Sequence, residues 1–183
     1  VHLDVLDGNF VDKKSFIVVE KIPEIGTSRQ YELHLMVHEP LREMKKWQHI
    51  ANVFRVIIHL ETPASVEACH AFAKERHWEF GIAINPDTPL EIAIPYFKEI
   101  DYLLFMTVYP GRQGSPFQEI VLPKIKQFLT HEGHPRFGVD GGINGATIHN
   151  FKSLNPDVLD VGSALMLAPN VEIAYLDLKE KLQ

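Results

Sequence analysis

Seven short apolar runs rich in β-branched and aromatic residues punctuate this chain, and stretches with helical spacing lie between several of them. The runs are Val1–Val5, Tyr31–Val37, Phe54–Leu60, Glu79–Ile84, Tyr102–Val108, Arg136–Val139 and Val158–Val161. Most are apolar on both faces, as expected of parallel strands covered by helices. Between them, Ser65–Arg76 places Val66, Cys69, Phe72 and Ala73 on one helical stripe, with Thr62 or Ser65 available as a cap. Leu90–Glu99 and Glu119–Thr130 repeat the pattern, and Pro123 falls early enough in the latter to sit in a first turn. Thr147–Ser153 is a shorter candidate. The stretch Asp12–Tyr31 is the least regular, and Ile17–Ile22 predicts a short helix ending before Pro23.

Two architectures accommodate such alternation. A doubly wound sheet normally carries a glycine-rich turn, Gly-x-Gly-x-x-Gly, after an early strand. Here the first strand is followed by Asp7-Gly8-Asn9-Phe10-Val11-Asp12. Polar residues instead close almost every strand: Asp4, His34, His59, Asn85, Thr107 and Asp140. That spread favours a closed barrel, in which the C-terminal ends of all strands converge on one pocket. Seven strands leave an eight-stranded barrel one short. The chain also opens on Val1, already inside a strand-like run. A first strand and helix of roughly 30 residues would repair both features. The expectation is therefore one α/β domain over residues 1–183, a TIM (β/α)8 barrel that is N-terminally incomplete.

The chain has 183 residues, 45% of them hydrophobic, enough for one sizeable core. A net charge of −6 without a Lys/Arg-rich tract gives no support to nucleic-acid binding. The absence of an 18-residue apolar run argues against a membrane-spanning helix. A single cysteine, Cys69, permits no intrachain disulfide and fits a reducing, cytoplasmic setting.

The chemistry concentrates at strand ends. His2 and Asp4 are two residues apart on a strand and so share a face. His34 adds a second imidazole and Asp140 a second carboxylate. Mixed nitrogen and oxygen ligands suit zinc, iron, manganese or cobalt. Taken singly, each has a plainer explanation. His2 fits a buried, backbone-satisfied histidine, and Asp140, before two glycines, a turn aspartate. Asp4 is harder to explain away, because an acid within an apolar strand is costly unless paired or metal-bound. Asp140-Gly141-Gly142-Ile143-Asn144-Gly145 and Val161-Gly162-Ser163-Ala164 are sharp turns with exposed amides, suited to phosphate. Tyr109–Ser115 is a third glycine-bearing loop able to close over a ligand. His59 reads as a supporting or structural residue. Met36 and Met106 read as core or as pocket wall. His38, His49, His70, His77, His131, His134 and His149 read as surface or helix residues, and Trp47 and Trp78 as packing.

Six segments, taken in order, resemble the ribulose-phosphate 3-epimerase family. They are His2–Val11, Leu33–Val37, Gly81–Leu90, Met106–Gly111, Val139–Asn144 and Val161–Ala164. The resemblance implies a phosphate-binding (β/α)8 barrel, usually oligomeric, with one divalent metal held by His2, Asp4, His34 and Asp140. It implies Asp4 and Asp140 as the acid/base pair, and Leu6, Met36 and Met106 along the pocket wall. Phosphate would rest on amides of Gly141, Gly142, Gly162 and Ser163, covered by the loop Gly111–Gly114. Leu6 replaces a usual methionine, Asn9 a common histidine and Asp12 a common proline. Arg112 alters the covering loop. None of these departures removes a ligand or an acid.

The implied reaction converts D-ribulose 5-phosphate to D-xylulose 5-phosphate by proton transfer at C3, with no organic cofactor. Allulose 6-phosphate is the alternative substrate. A catalytically silent phosphosugar-binding protein is the alternative from another class. Barrels that decarboxylate orotidine phosphate or build hexulose phosphate use an Asp-x-Lys-x-x-Asp array. The strand at 31–37 carries no lysine, which argues against them.

Overall fold

In the computed structural model, residues 1–15, 17–25, 28–111 and 114–182 are described. Seven strands form one parallel sheet in sequential order: β1 (His2–Leu6), β2 (Tyr31–Met36), β3 (Val53–His59), β4 (Glu79–Ile84), β5 (Tyr102–Met106), β6 (Arg136–Asp140) and β7 (Val158–Asp160). The helices are α1 (Pro40–Trp47), α2 (Val66–Glu75), α3 (Val121–Leu129), α4 (Ser163–Met166) and α5 (Val171–Leu182). The sheet curls until His2 on β1 and Asp160 on β7 approach to 3.4 Å. The result is a nearly closed (β/α) barrel, one strand and helix short of eight.

Alternation along each strand sorts side chains into two environments. Leu33, Leu35, Val56, Ile58, Phe80, Ile82, Leu103, Phe105, Phe137 and Val139 point outward into a large core beneath the helices. Trp47 of α1, Cys69 and Ala73 of α2, and Ile125 and Phe128 of α3 seal it. Inside the barrel a smaller cluster forms from Ile57, Ala83, Tyr102, Leu104 and Met106. Gly138 makes this interior possible, because a Cβ there would stand 1.7 Å from the Tyr102 hydroxyl oxygen. One end of the interior is polar. Buried Arg55 reaches Glu32 at 2.5 Å and Glu79 at 2.8 Å, with its guanidinium 3.8 Å from the Tyr102 ring centre.

Strand limits differ from the sequence expectation by one or two residues at most ends. Helix α2 begins as expected, with Ser65 Oγ accepting the Ala68 N–H at 3.1 Å. Thr62 instead donates to the His38 carbonyl. Leu90–Glu99 is not one helix. Pro95 has no N–H to continue a ladder, and the segment breaks into two 3-10 turns, Leu90–Ile92 and Ile94–Tyr96. Thr147–Ser153 likewise holds only a 3-10 turn, Ile148–Phe151. The short helix expected at Ile17–Ile22, ending before Pro23, is instead a 3-10 stretch, Val19–Ile25, that runs through Pro23. Among the described residues, no helix is long and apolar enough to cross a membrane.

Candidate active site

Along β1 and β2, and at the C-terminal ends of β6 and β7, polar or pocket-lining side chains face the barrel interior. His2, Asp4 and Leu6 alternate inward on β1, Glu32, His34 and Met36 on β2. Asp140 closes β6 and Asp160 closes β7, and the two are Cα partners. Closure of the sheet brings the sequence-distant groups together. His2 Nε2 lies 3.2 Å from Asp4 Oδ1 and 3.3 Å from His34 Nδ1. His34 Nδ1 lies 3.0 Å from Asp4 Oδ1 and 3.6 Å from Asp140 Oδ2. One potential ligand atom from each of His2, Asp4, His34 and Asp140 falls within 4.8 Å of the other three. Two imidazole nitrogens and two carboxylate oxygens around one point fit a divalent transition metal.

The two carboxylates sit in opposite electrostatic states. Burial pushes the Asp4 carboxyl up, but hydrogen bonds from His2 and His34 outweigh it and hold Asp4 well below the usual carboxylate range. Burial pushes Asp140 up to about 7, against the charge of His2 and with the negative charges of Asp4, Asp160 and Glu32. Burial draws His34 down to about 4, with His59 and His2 adding to it and the Asp4 hydrogen bond opposing. His2 moves the other way. Its burial is outweighed by hydrogen bonds to Asp4 and Glu32 and by the charges of Asp160 and Asp140. A cation amid these groups relieves the cost of burying ionised Asp140.

A cavity of about 560 Å³ opens beside Asp4 and Asp140. Leu6, Met36 and Met106 line it, and so do Gly111, Gly114, Gly141, Gly142, Gly162 and Ser163. Gly141 has φ +107°, and a Cβ there would meet Val108 at 2.3 Å, so the turn after β6 needs glycine on both counts. A Cβ on Gly111 would press on Val11 at 2.9 Å, which places the covering loop against the loop after β1. Arg112 lies outside the described residues.

Sequence reasoning missed several neighbours. Lys13, Lys14, Ser15 and Asp160 also line the cavity. Asp160 could have been found by the rule that singled out Asp4, because it too is an acid in an apolar strand. Glu32, two residues before His34 and on the same face, holds His2 Nδ1 at 2.7 Å and completes a second group of possible ligands with His2 and Asp160. His59 is buried against His34. The other seven histidines stand apart from the cluster, and none is buried.

Comparison with known proteins places this geometry. The profile described as the ribulose-phosphate 3 epimerase family matches residues 1–166. The chain belongs to the ribulose-phosphate 3-epimerase family. The ribulose-phosphate 3-epimerase of Bacillus subtilis is 30% identical over 189 residues, covering all of this chain and 83% of that protein. That of Schizosaccharomyces pombe is 31% identical, covering 94% and 77%. Among solved structures, 3-hexulose-6-phosphate synthase from Salmonella typhimurium superposes with a TM-score of 0.66 at 20% identity, over 89% of this chain and 75% of that one. Orotidine 5'-monophosphate decarboxylase from Sulfolobus solfataricus gives 0.66 at 12%, over 90% and 82%. At those identities the likeness is one of fold. Asp4 and Asp140 of the cluster border a cavity lined by the loops that follow β1, β5, β6 and β7, the face of a barrel on which such enzymes keep their chemistry.

Proposed function

We propose that this chain inverts C3 of D-ribulose 5-phosphate to give D-xylulose 5-phosphate, by proton transfer between two carboxylates. The observation that carries the reading is the pairing of Asp4 and Asp140 about one point on the cavity wall, with their proton affinities driven apart. The C3 proton lies beside the C2 ketone, so its removal yields an enediolate. Asp4, held ionised by His2 and His34, is the base toward ribulose 5-phosphate. Asp140, whose proton affinity burial raises above that of Asp4, is the acid that returns a proton to the opposite face. The acids exchange roles in the reverse direction. Separation of two proton affinities is what lets paired carboxylates divide these duties.

His2, Asp4, His34 and Asp140 are the residues that would hold a divalent ion, with zinc, iron, manganese and cobalt all suited to the donor set. Such an ion supplies Lewis-acid stabilisation of the charge growing on the substrate oxygens. Amides at Gly141, Gly142, Gly162 and Ser163, which line the cavity, would hold the phosphate, with Gly111 and Gly114 of the same lining helping to cover it. Leu6, Met36 and Met106 form an apolar wall that limits water around the reacting carbons. A homo-oligomer in the cytoplasm belongs to the same reading.

The test is exchange of the C3 proton of ribulose 5-phosphate in deuterated water, with and without added divalent metal. Metal-dependent exchange with formation of xylulose 5-phosphate is the expected result. Exchange on allulose 6-phosphate alone would move the assignment to the six-carbon sugar. Binding without exchange on either would sink the enzyme reading.

A further inference from the structure

A chain of polar contacts leaves His34 on the side away from Asp4. His34 Nε2 lies 2.9 Å from His59 Nε2, and the two rings stack with centroids 5.0 Å apart. His59 Nδ1 lies 3.1 Å from Glu61 Oε2. The other Glu61 oxygen accepts the Asn85 N–H at 2.8 Å and the Thr88 hydroxyl. Both histidines are fully buried, so each ring nitrogen depends on the partner it has.

These contacts allow one wholly satisfied pattern of protons when a cation sits among His2, Asp4 and Asp140. An ionised carboxylate only accepts, and two donors already bind Glu61 Oε1. His59 Nδ1 therefore carries the proton that faces Oε2. His59 Nε2 is then an acceptor, and the 2.9 Å contact is met only by an N–H on His34 Nε2. Neutral His34 is left with a bare lone pair on Nδ1, the nitrogen that faces Asp4 and Asp140. We infer that Glu61, acting through His59, is a positioning residue that fixes His34 in the tautomer presenting Nδ1 to the metal. This rests on the metal-site reading above.

The opposite tautomer has a definite cost. With the proton on His34 Nδ1, His59 must donate from Nε2, and its bare Nδ1 then faces the Glu61 carboxylate at 3.1 Å with no proton between them. Glu61→Gln probes this at nearly constant shape. The new amide oxygen can serve His59 or the pair Asn85 and Thr88, not both. If it serves Asn85 and Thr88, its NH₂ donates to His59 Nδ1, the relay runs backwards, and a proton appears on His34 Nδ1. Partners that orient metal-binding histidines are typically worth about 10–100-fold in metal affinity.

The experiment uses the intact protein labelled with ¹⁵N-histidine and loaded with zinc, read near pH 8 by long-range nitrogen–proton correlation. Expected are a proton on Nδ1 of His59 and on Nε2 of His34. Chelator competition should show Glu61→Gln binding zinc about 10–100-fold more weakly. Zinc binding with the His59 proton on Nε2 would overturn the relay alone. So would a Glu61→Gln protein with unchanged tautomers and affinity. Failure of the unaltered protein to bind zinc would overturn both the relay and the metal-site reading. The tautomer measurement needs no variant, so a poorly folded mutant does not decide it.

Discussion

Asp4 and His34 are Cα partners across β1 and β2, and their side chains meet at 3.0 Å although thirty positions separate them in the chain. The contact is a consequence of parallel register. Asp4 and His34 each lie two residues before the end of their strand, so in-register pairing sets one beside the other. Curling of the sheet then carries Asp140 of β6 into the same space, which no pairwise register does. Chemistry at this point therefore depends on barrel closure as much as on the ligands.

Asp140→Asn removes the acid while keeping size and most packing. Turnover with ribulose 5-phosphate should fall by about 10²–10⁴, the usual worth of a positioned acid or base. Sugar-phosphate binding, measured by calorimetry, should survive because the glycine amides are untouched. Near-normal turnover would remove Asp140 from the mechanism. Asp4→Asn should fail in the same way, and both variants should bind metal more weakly, since each loses a charged candidate ligand.

Metal removal should cost both activity and stability. A ligand bound only by the folded state stabilises it by about 2.7 kcal/mol at one hundred times its dissociation constant. Chelation should lower the melting temperature by several degrees, and excess zinc, manganese or cobalt should restore it. His34→Ala should abolish the metal-dependent part of that shift. An identical melting curve with and without chelator would argue against the cluster as a metal site.

Much of the fold was legible because parallel strands with two buried faces write themselves as apolar runs. The four candidate ligands stood out because they interrupt those runs. Asp160 interrupts one too, yet its run is only three residues long in the structure, and the glycine turn after it drew attention instead. Glu32 and Glu61 were illegible for another reason. Their importance comes from facing His2 and His59, and only the register between strands specifies that. Leu90–Glu99 misled because its apolar spacing is helical while Pro95 withdraws the donor a continuous helix needs.

Above about pH 4.5, where the lowered carboxylates Asp4, Glu32 and Glu61 have made their contribution, the metal-free protein should lose stability as pH rises. Asp140 is raised from 3.8 to about 7, so its favourable contribution is complete at low pH and is lost from about pH 4 through 7. Asp160, raised to about 6, acts in the same direction. His34, lowered to about 4, opposes them between its folded value and the ordinary 6.5. Above 6.5 that opposition is spent, and His2, raised above its usual value, joins the decline. Urea midpoints in chelator should therefore fall most steeply between about pH 6.5 and 7, where Asp140 and His2 act together. A midpoint that climbs over that interval would contradict the protonated state assigned to Asp140.

Gly141→Ala tests the turn proposed to present amides to the phosphate. Its φ of +107° is strained for any L side chain, and the added Cβ would lie 2.3 Å from Val108 Cγ2. Relief requires moving either β5's end or the turn itself. Overpacking of this kind costs about 1–3 kcal/mol, seen as a lower denaturation midpoint. Displaced amides should also raise KM for the sugar phosphate more than they lower kcat, because the acid and base are left in place. Zinc affinity should fall little, since the turn starts one residue beyond Asp140. The pairing Gly141→Ala with Val108→Ala separates the two causes. Recovery of stability without recovery of KM would show that the backbone conformation at Gly141, rather than the space around it, is what phosphate binding requires.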